Sequence, residues 1–233
     1  MRPDVAETVL GVYRSLERAG ERQGSDGNRD RGHRAEVTSG RHLDPLAELI
    51  KGDLVAAGFH ADEVISTGNA MRLPGWFRKS KDWDLLALDD GRLVSAIELK
   101  SINSSFGNNA NNRTEESLGS ALDALTAADE GLMGDGAIPP VLGYVMVMRD
   151  CPAAHGGNSR VRTVFPTDPV FDDTTYIDRF RILCERLRSK SIYQAVWFVT
   201  ADPEHGVVSE PSPDLTYEKF IASIVAALHI NRA

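Results

Sequence analysis

The 233 residues carry 26 basic and 34 acidic side chains, a net charge of −8 that argues against a general nucleic-acid coat. Hydrophobic content of 42% and charged content of 26% are ordinary for a soluble globular protein long enough for one sizeable core. No apolar run approaches the length of a membrane span and the first helix contains acids, so neither a span nor a signal peptide is expected.

In chain order, Val5, Val9, Val12, Tyr13 and Leu16 fall at helical spacing, predicting a first helix over residues 3–19. Residues 20–42 are rich in Gly, Asp, Asn and Arg and read as an exposed, mobile loop whose Arg29, Arg31, Arg34 and Arg41 are within reach of DNA phosphates. Residues 1–42 thus form a helix plus loop, and 43–233 the core of the same single domain. Asp44-Pro45 signals a helix start with Asp44 as cap, and Leu46, Leu49, Ile50 and Leu54 form its buried stripe. Glu48 lies off that stripe and is a third ligand candidate for the site described next. A short strand is expected within 61–67. Between Asn69 and Lys81 the chain holds Arg72, Arg78, Lys79 and Lys81 and no acid, a basic approach suited to a phosphodiester.

Residues 83–100, WDLLALDDGRLVSAIELK, read as two apolar strands around an Asp-Gly turn, carrying Asp84, Glu98 and Lys100. Parity decides whether these groups meet. A three-residue loop, with Gly91 left-handed in a bulge, is expected because it sets Asp84 opposite Ala96 and puts Glu98 and Lys100 on its face. Diagonal neighbours are then about 7–8 Å apart, close enough for two carboxylates to share a cation. The expected faces are Leu86, Leu88, Val94 and Ala96 on one side, and Leu85, Ala87, Leu93, Ile97 and Leu99 on the other. Carboxylates ending a strand buried on both sides need pairing or a metal, and hard oxygen donors favour magnesium or manganese over zinc.

Four asparagines and an arginine within 108–113 read as a polar loop, in which Asn109, Asn112 and Arg113 are candidate DNA contacts. Thr114 is expected to cap a helix with Leu118, Leu122 and Leu125 inward. Val141–Met148 reads as a strand. Arg149–Asp173 is a long irregular stretch, whose part up to Asp168, with Arg160 and Arg162, is expected to read bases. Tyr176, Phe180, Leu183 and Leu187 mark a helix with Cys184 as a buried thiol, Tyr193–Thr200 a strand, and Thr216–Ile230 a closing helix. Cys151 and Cys184 form no metal or redox spacing and fit a reducing cytoplasm.

Asp84 with Glu98-x-Lys100 resembles the PD-(D/E)xK nuclease pattern, with Trp83 standing where the broad motif has proline. The block ELKSINSSFGNNANNRTEESLGSA closely resembles the XhoI family of type II restriction endonucleases, and DCPAAH and the VFP-to-ERL region extend the likeness. The resemblance implies an α/β restriction-endonuclease-like core: a mixed central sheet flanked by helices. It further implies a bacterial, cytoplasmic homodimer that cuts both strands of a CTCGAG-type palindrome with Mg2+, Mn2+ substituting, alongside a cognate DNA methyltransferase. Asp84, Glu98 and the Leu99 carbonyl would hold metal; Lys100 would orient or activate water and stabilise charge at the phosphate. Arg78, Lys79, Lys81, Asn109, Asn112, Arg113, Arg160 and Arg162 are the expected DNA contacts. Rival classes are a repair or nicking nuclease of the same fold, a DNA-binding module with a dead core, and a hydrolase of small phosphates.

Overall fold

Apolar side chains on both faces of the central strands require cover on both sides, and the fold supplies it as helix layers around one sheet. The structure, a computed structural model, describes residues 1–24, 41–68, 71–134, 138–157 and 161–233. The loop expected over 20–42, with Arg29, Arg31 and Arg34, therefore lies mostly outside the described residues, as does Arg160; its described ends are not loop, since the first helix runs on to Gly24 and Arg41–Leu43 form a 3-10 turn. Among the described residues the strands are β1 (Val64–Ile65), β2 (Arg72–Pro74), β3 (Ser80–Asp82), β4 (Leu85–Asp89), β5 (Arg92–Ile102), β6 (Val141–Arg149), β7 (Ala195–Asp202) and β8 (Val207–Ser209). The helices are α1 (Pro3–Gly24), α2 (Asp44–Ala56), α3 (Phe106–Asp129), α4 (Tyr176–Ser189) and α5 (Tyr217–Asn231).

Six strands form one mixed sheet in the order β1-β4-β5-β6-β7-β8; β2 and β3 form a separate hairpin. The pairs β5-β6 and β6-β7 are parallel, the other neighbours antiparallel. Each parallel crossover carries a helix, α3 after β5 and α4 after β6, because parallel neighbours cannot be joined by a tight turn. Alternation sorts the strand residues into two cores. Ile97, Leu99, Val145, Val147, Trp197 and Val199 face α1, α2 and α5. Ala96, Tyr144, Met146, Met148, Val196 and Phe198 face α3 and α4. Among the described residues no helix is long and apolar enough to cross a membrane.

At Gly143 on β6 the neighbouring strand β5 and the helix α5 leave no room for a side chain. A Cβ there would lie 2.8 Å from Ile97 Cγ1 and 3.3 Å from Phe220 Cε2. Both neighbours are fully buried, so neither has room to yield. Gly143→Ala is expected to lower stability by about 1–3 kcal/mol, the usual penalty of an overpacked core, read as a reduced midpoint in urea unfolding with an unchanged slope.

Several sequence expectations are corrected. Asp44 is the first residue inside α2 rather than its cap; the cap position is Leu43, which ends a 3-10 turn over Arg41–Leu43, and no side chain caps it. The Asn-rich run is not a loop. The chain turns once at Ser105, in a left-handed conformation with φ 52°, and α3 begins at Phe106, eight residues before Thr114. Phe106 and Ala110 are buried, which anchors the first turns, while Asn109 donates to the carbonyls of Ser104 at 2.9 Å and Ser105 at 3.2 Å. Nor do all three leucines face inward: Ser117, Ala121, Ala124 and Ala127 are buried, Leu125 packs partly buried on the core as expected, and Leu118 and Leu122 are exposed. Small residues allow α3 to close on α4 and on β2, so shape overrides the leucine stripe. By contrast α4 starts under a Thr175/Asp178 capping box and buries Phe180, Cys184 and Leu187, and α5 starts under a Thr216 cap.

Candidate active site

Asp90 and Gly91 take φ values of 50° and 73°, the two left-handed positions that a two-residue hairpin turn demands and that Asp-Gly tolerates. Glu63 fixes the turn, accepting from Gly91 N at 2.8 Å and Asp90 N at 3.3 Å. The expected three-residue loop is therefore wrong. Its parity survives for a different reason. Pairing runs Asp89↔Arg92 and Leu88↔Leu93, then resumes at Ala87↔Ser95, leaving Val94 as a bulge. One inserted residue restores the parity that the loop was expected to supply. Continuing past Leu85↔Ile97, Asp84 comes across from Glu98 rather than Ala96. The bulge also exchanges Leu93 and Val94: Val94 joins the α1 side and Leu93 the α3 side.

Beyond Leu85 the ladder gives way to a side-chain bond. Asp84 N donates to Ile97 O at 3.1 Å, and Asp84 Oδ2 accepts Leu99 N at 2.7 Å. This fixes the Asp84 carboxylate against β5. Glu98, only 6% exposed, lies beside Tyr144 on β6, in the face covered by α3 and α4. Two ammonium groups hold it: Lys100 Nζ bonds Oε1, and Lys81 Nζ, on β3, lies 2.5 Å from Oε2. Lys81 also sits 4.7 Å from the centroid of the Trp83 ring, which orients it toward the carboxylate. Lys81, an expected DNA contact, is brought by the β2-β3 pairing onto Glu98.

Charge follows this geometry. Burial, and then the neighbouring Glu98 charge, raise the Asp84 carboxyl above its ordinary value, against the opposing Leu99 N–H and lysines. Burial also works against the Glu98 charge, but Lys100 and Lys81 outweigh it and hold the group below the usual range. The donor set suits a hard divalent cation, with two carboxylates on one face of the hairpin and the Leu99 carbonyl next to Glu98 on β5. Around it the Tyr144 hydroxyl, Trp83 Nε1 and Arg113 Nε are buried polar atoms without a protein partner. Such atoms are rare in a finished core and expected where a ligand or solvent completes the site.

Glu48 does not join this set. It is exposed, accepts from Ser66 Oγ at 2.5 Å, and belongs to α2, which packs on the opposite face of the sheet from Glu98. Among the described residues no three potential metal-binding side chains come together. Of the expected DNA contacts, Lys79, Asn112 and Arg162 are exposed. Arg78 is half exposed and tied through Nε to Asp123 Oδ2 at 2.7 Å. Arg113 pairs with Glu116 and lies close enough to Tyr144 for its charge to act on the phenol, so it borders the site rather than projecting from a loop. Asn109 spends its amide donors on the turn before α3. Asp123 was not singled out from the sequence, where it reads as one more helix acid. Only its burial and three bonds to the β2-β3 hairpin reveal its part.

Mixed sheet, flanking helices and the Asp84, Glu98-x-Lys100 hairpin together define a restriction-endonuclease-like core. The family model described as "Restriction endonuclease XhoI" matches residues 22–212. The chain belongs to that family. It is 39% identical over 158 residues to the type II restriction enzyme XhoI of Xanthomonas vasicola, spanning 67% of this chain and 63% of that enzyme. It is 34% identical over 206 residues to the type II restriction enzyme BstVI of Geobacillus stearothermophilus, spanning 84% of this chain and 91% of that one. The type II restriction enzyme AbrI of Azospirillum brasilense is 38% identical over 150 residues. No solved structure matches.

Proposed function

We propose that this protein is a type II restriction endonuclease that hydrolyses one phosphodiester in each strand of duplex DNA at a CTCGAG-type palindrome. The observation that carries the reading is the convergence of Asp84, Glu98 and Lys100 on one face of the hairpin, with Lys81 on the far side of the same glutamate. Asp84, Glu98 and the Leu99 carbonyl are the ligands for Mg2+, with Mn2+ as a substitute. When bound, the cation polarises the phosphoryl oxygen and lowers the pKa of the attacking water. Lys100 orients that water and relays its proton, passing an ammonium proton to solvent or to the leaving oxygen as it receives the water's, and stabilises charge at the phosphate. Before substrate arrives, both ammonium groups rest on Glu98; the scissile phosphate is the next anion each can reach, and Lys81 is placed to hold its non-bridging oxygen. Arg78, Lys79, Asn112, Arg113 and Arg162 are the proposed contacts to phosphates and bases, with Arg160 a candidate on sequence alone. A homodimer matches the symmetry of a palindrome, and a cognate methyltransferase acting on the same site would shield the host.

Cleavage tests this directly. A plasmid with one CTCGAG site and the same plasmid with that site scrambled are incubated with Mg2+ or chelator, and the ends are sequenced. Linearisation of the first plasmid alone, in Mg2+ alone, is the expected result. Nicks or structure-dependent cuts would move the protein to the repair class, and binding without cutting would mark a dead core.

A further inference from the structure

The β2-β3 hairpin is fixed at both ends yet presents two aromatic rings to solvent. At its base Lys81 pairs with Glu98, and Leu73 packs on the core beneath α3. At its tip Asp123 Oδ1 accepts Trp76 N at 2.9 Å and Phe77 N at 2.8 Å, while Oδ2 holds Arg78 Nε at 2.7 Å. Gly75 permits this closure, since a Cβ there would sit 2.6 Å from Asp123 Oδ2 and 2.7 Å from the Arg78 carbonyl. The tip is thus an ordered clamp. Out of it stand Trp76, 46% exposed, and Phe77, 67% exposed. Neither ring stacks on another aromatic among the described residues.

We propose that Trp76 and Phe77 form a wedge that inserts between base pairs beside the cut, unstacking and bending the duplex; this rests on the DNA-cutting function proposed above. Three observations carry it. Arg78 and Lys79 follow the rings directly, and residues 72–81, RLPGWFRKSK, contain no acid; Asp82, Asp123 and Glu98 pair with Arg72, Arg78 and Lys81 from outside the run, and Lys79 is the exposed cation beside the rings that a phosphate would meet first. Three residues lie between Phe77 at the tip and Lys81 at the base of the same hairpin. A phosphate held by Lys81 therefore brings the base pairs beside the cut to the tip. Apolar side chains rimmed by basic ones on a rigid projection are the physical requirements of a wedge that unstacks a base step. A second copy is the rival occupant, since Leu118 and Leu122 are also exposed on α3, which carries Asp123. A two-fold contact through this tip would set the basic strip against itself.

The test uses duplexes centred on CTCGAG, or on the site that plasmid ends reveal, with 2-aminopurine at successive steps. Fluorescence and cutting are followed together in Mg2+ under single turnover, for the wild type, Trp76→Ala, Phe77→Ala and Phe77→Leu. For the wild type, fluorescence at one step near the cut rises before cleavage. Either alanine variant, with an unchanged melting temperature, abolishes the rise and slows cutting by roughly ten- to a hundredfold, and Phe77→Leu restores most of both. Cutting by the wild type with no rise at any step overturns the wedge, as do alanine variants that cut normally. So do alanine variants whose loss of cutting tracks dissociation to monomers in sedimentation, which would assign the rings to a subunit interface. If the wild type neither binds nor cuts any duplex, the proposed nuclease function itself fails first.

Discussion

Lys100→Ala lowers the single-turnover cutting rate by about 10²–10⁴-fold, the usual worth of a positioned proton-transfer group, and changes duplex affinity by about tenfold or less, since one phosphate contact is a small part of the total. Lys100 is one-fifth exposed and bonded to Glu98, two residues before it on the same strand. Its ammonium can move from the carboxylate to water or phosphate without disturbing the sheet. Its backbone pairs in parallel with Met146 whatever the side chain is, so the variant keeps its fold. Rapid-quench cutting and fluorescence-anisotropy binding on the same duplex separate the two effects. Cutting at the wild-type rate would remove Lys100 from the chemistry, and equal losses in binding and cutting would make it a phosphate anchor alone.

Asp123→Ala destabilises the protein by about 2–4 kcal/mol, because it leaves two backbone N–H groups and a guanidinium without their acceptor. For a chain of this length that corresponds to a melting temperature lower by roughly 5–15 °C. Burial works against the Asp123 charge, but the Phe77 N–H, Arg78 and the Trp76 N–H outweigh it and hold the carboxyl below its ordinary value. A depressed folded pKa gives stability that is fully present above the unfolded value of about 4 and is lost as pH falls through the folded one. The wild-type advantage over the variant should therefore be constant from about pH 7 to pH 5 and shrink below about pH 4. Urea midpoints across that range measure it. A gap independent of pH would show that the carboxylate's charge plays no part in holding the tip.

Much of this was legible in the sequence because the relevant signals are local. The apolar runs of the strands, the Asp-Gly turn, the 3.6-residue stripes of α1, α2 and α4, and the spacing Glu98-x-Lys100 depend only on neighbours along the chain, and each appears where the sequence places it. The resemblance carried by residues 98–121 led to the family to which the chain belongs. The asparagines were misread as a loop because Asn favours turns locally, whereas Phe106 and Ala110, by burying against the sheet, pull the same run into a helix.

The sequence by itself placed Glu98 and Lys100 on one face of a strand, since a two-residue spacing fixes which groups of one strand share a face, and it singled out Asp84 as their partner. Only the tertiary structure decided how they meet. The bulge at Val94 sets Asp84 across from Glu98, a small-residue face closes α3 on α4 and β2 and leaves two leucines outside, and a separate hairpin carries Lys81 onto Glu98. Asp123, distant in sequence from the hairpin it clamps, acquired its role the same way. In each case the deciding energy is a contact between segments far apart in the chain, and no local pattern of residue types encodes such a contact.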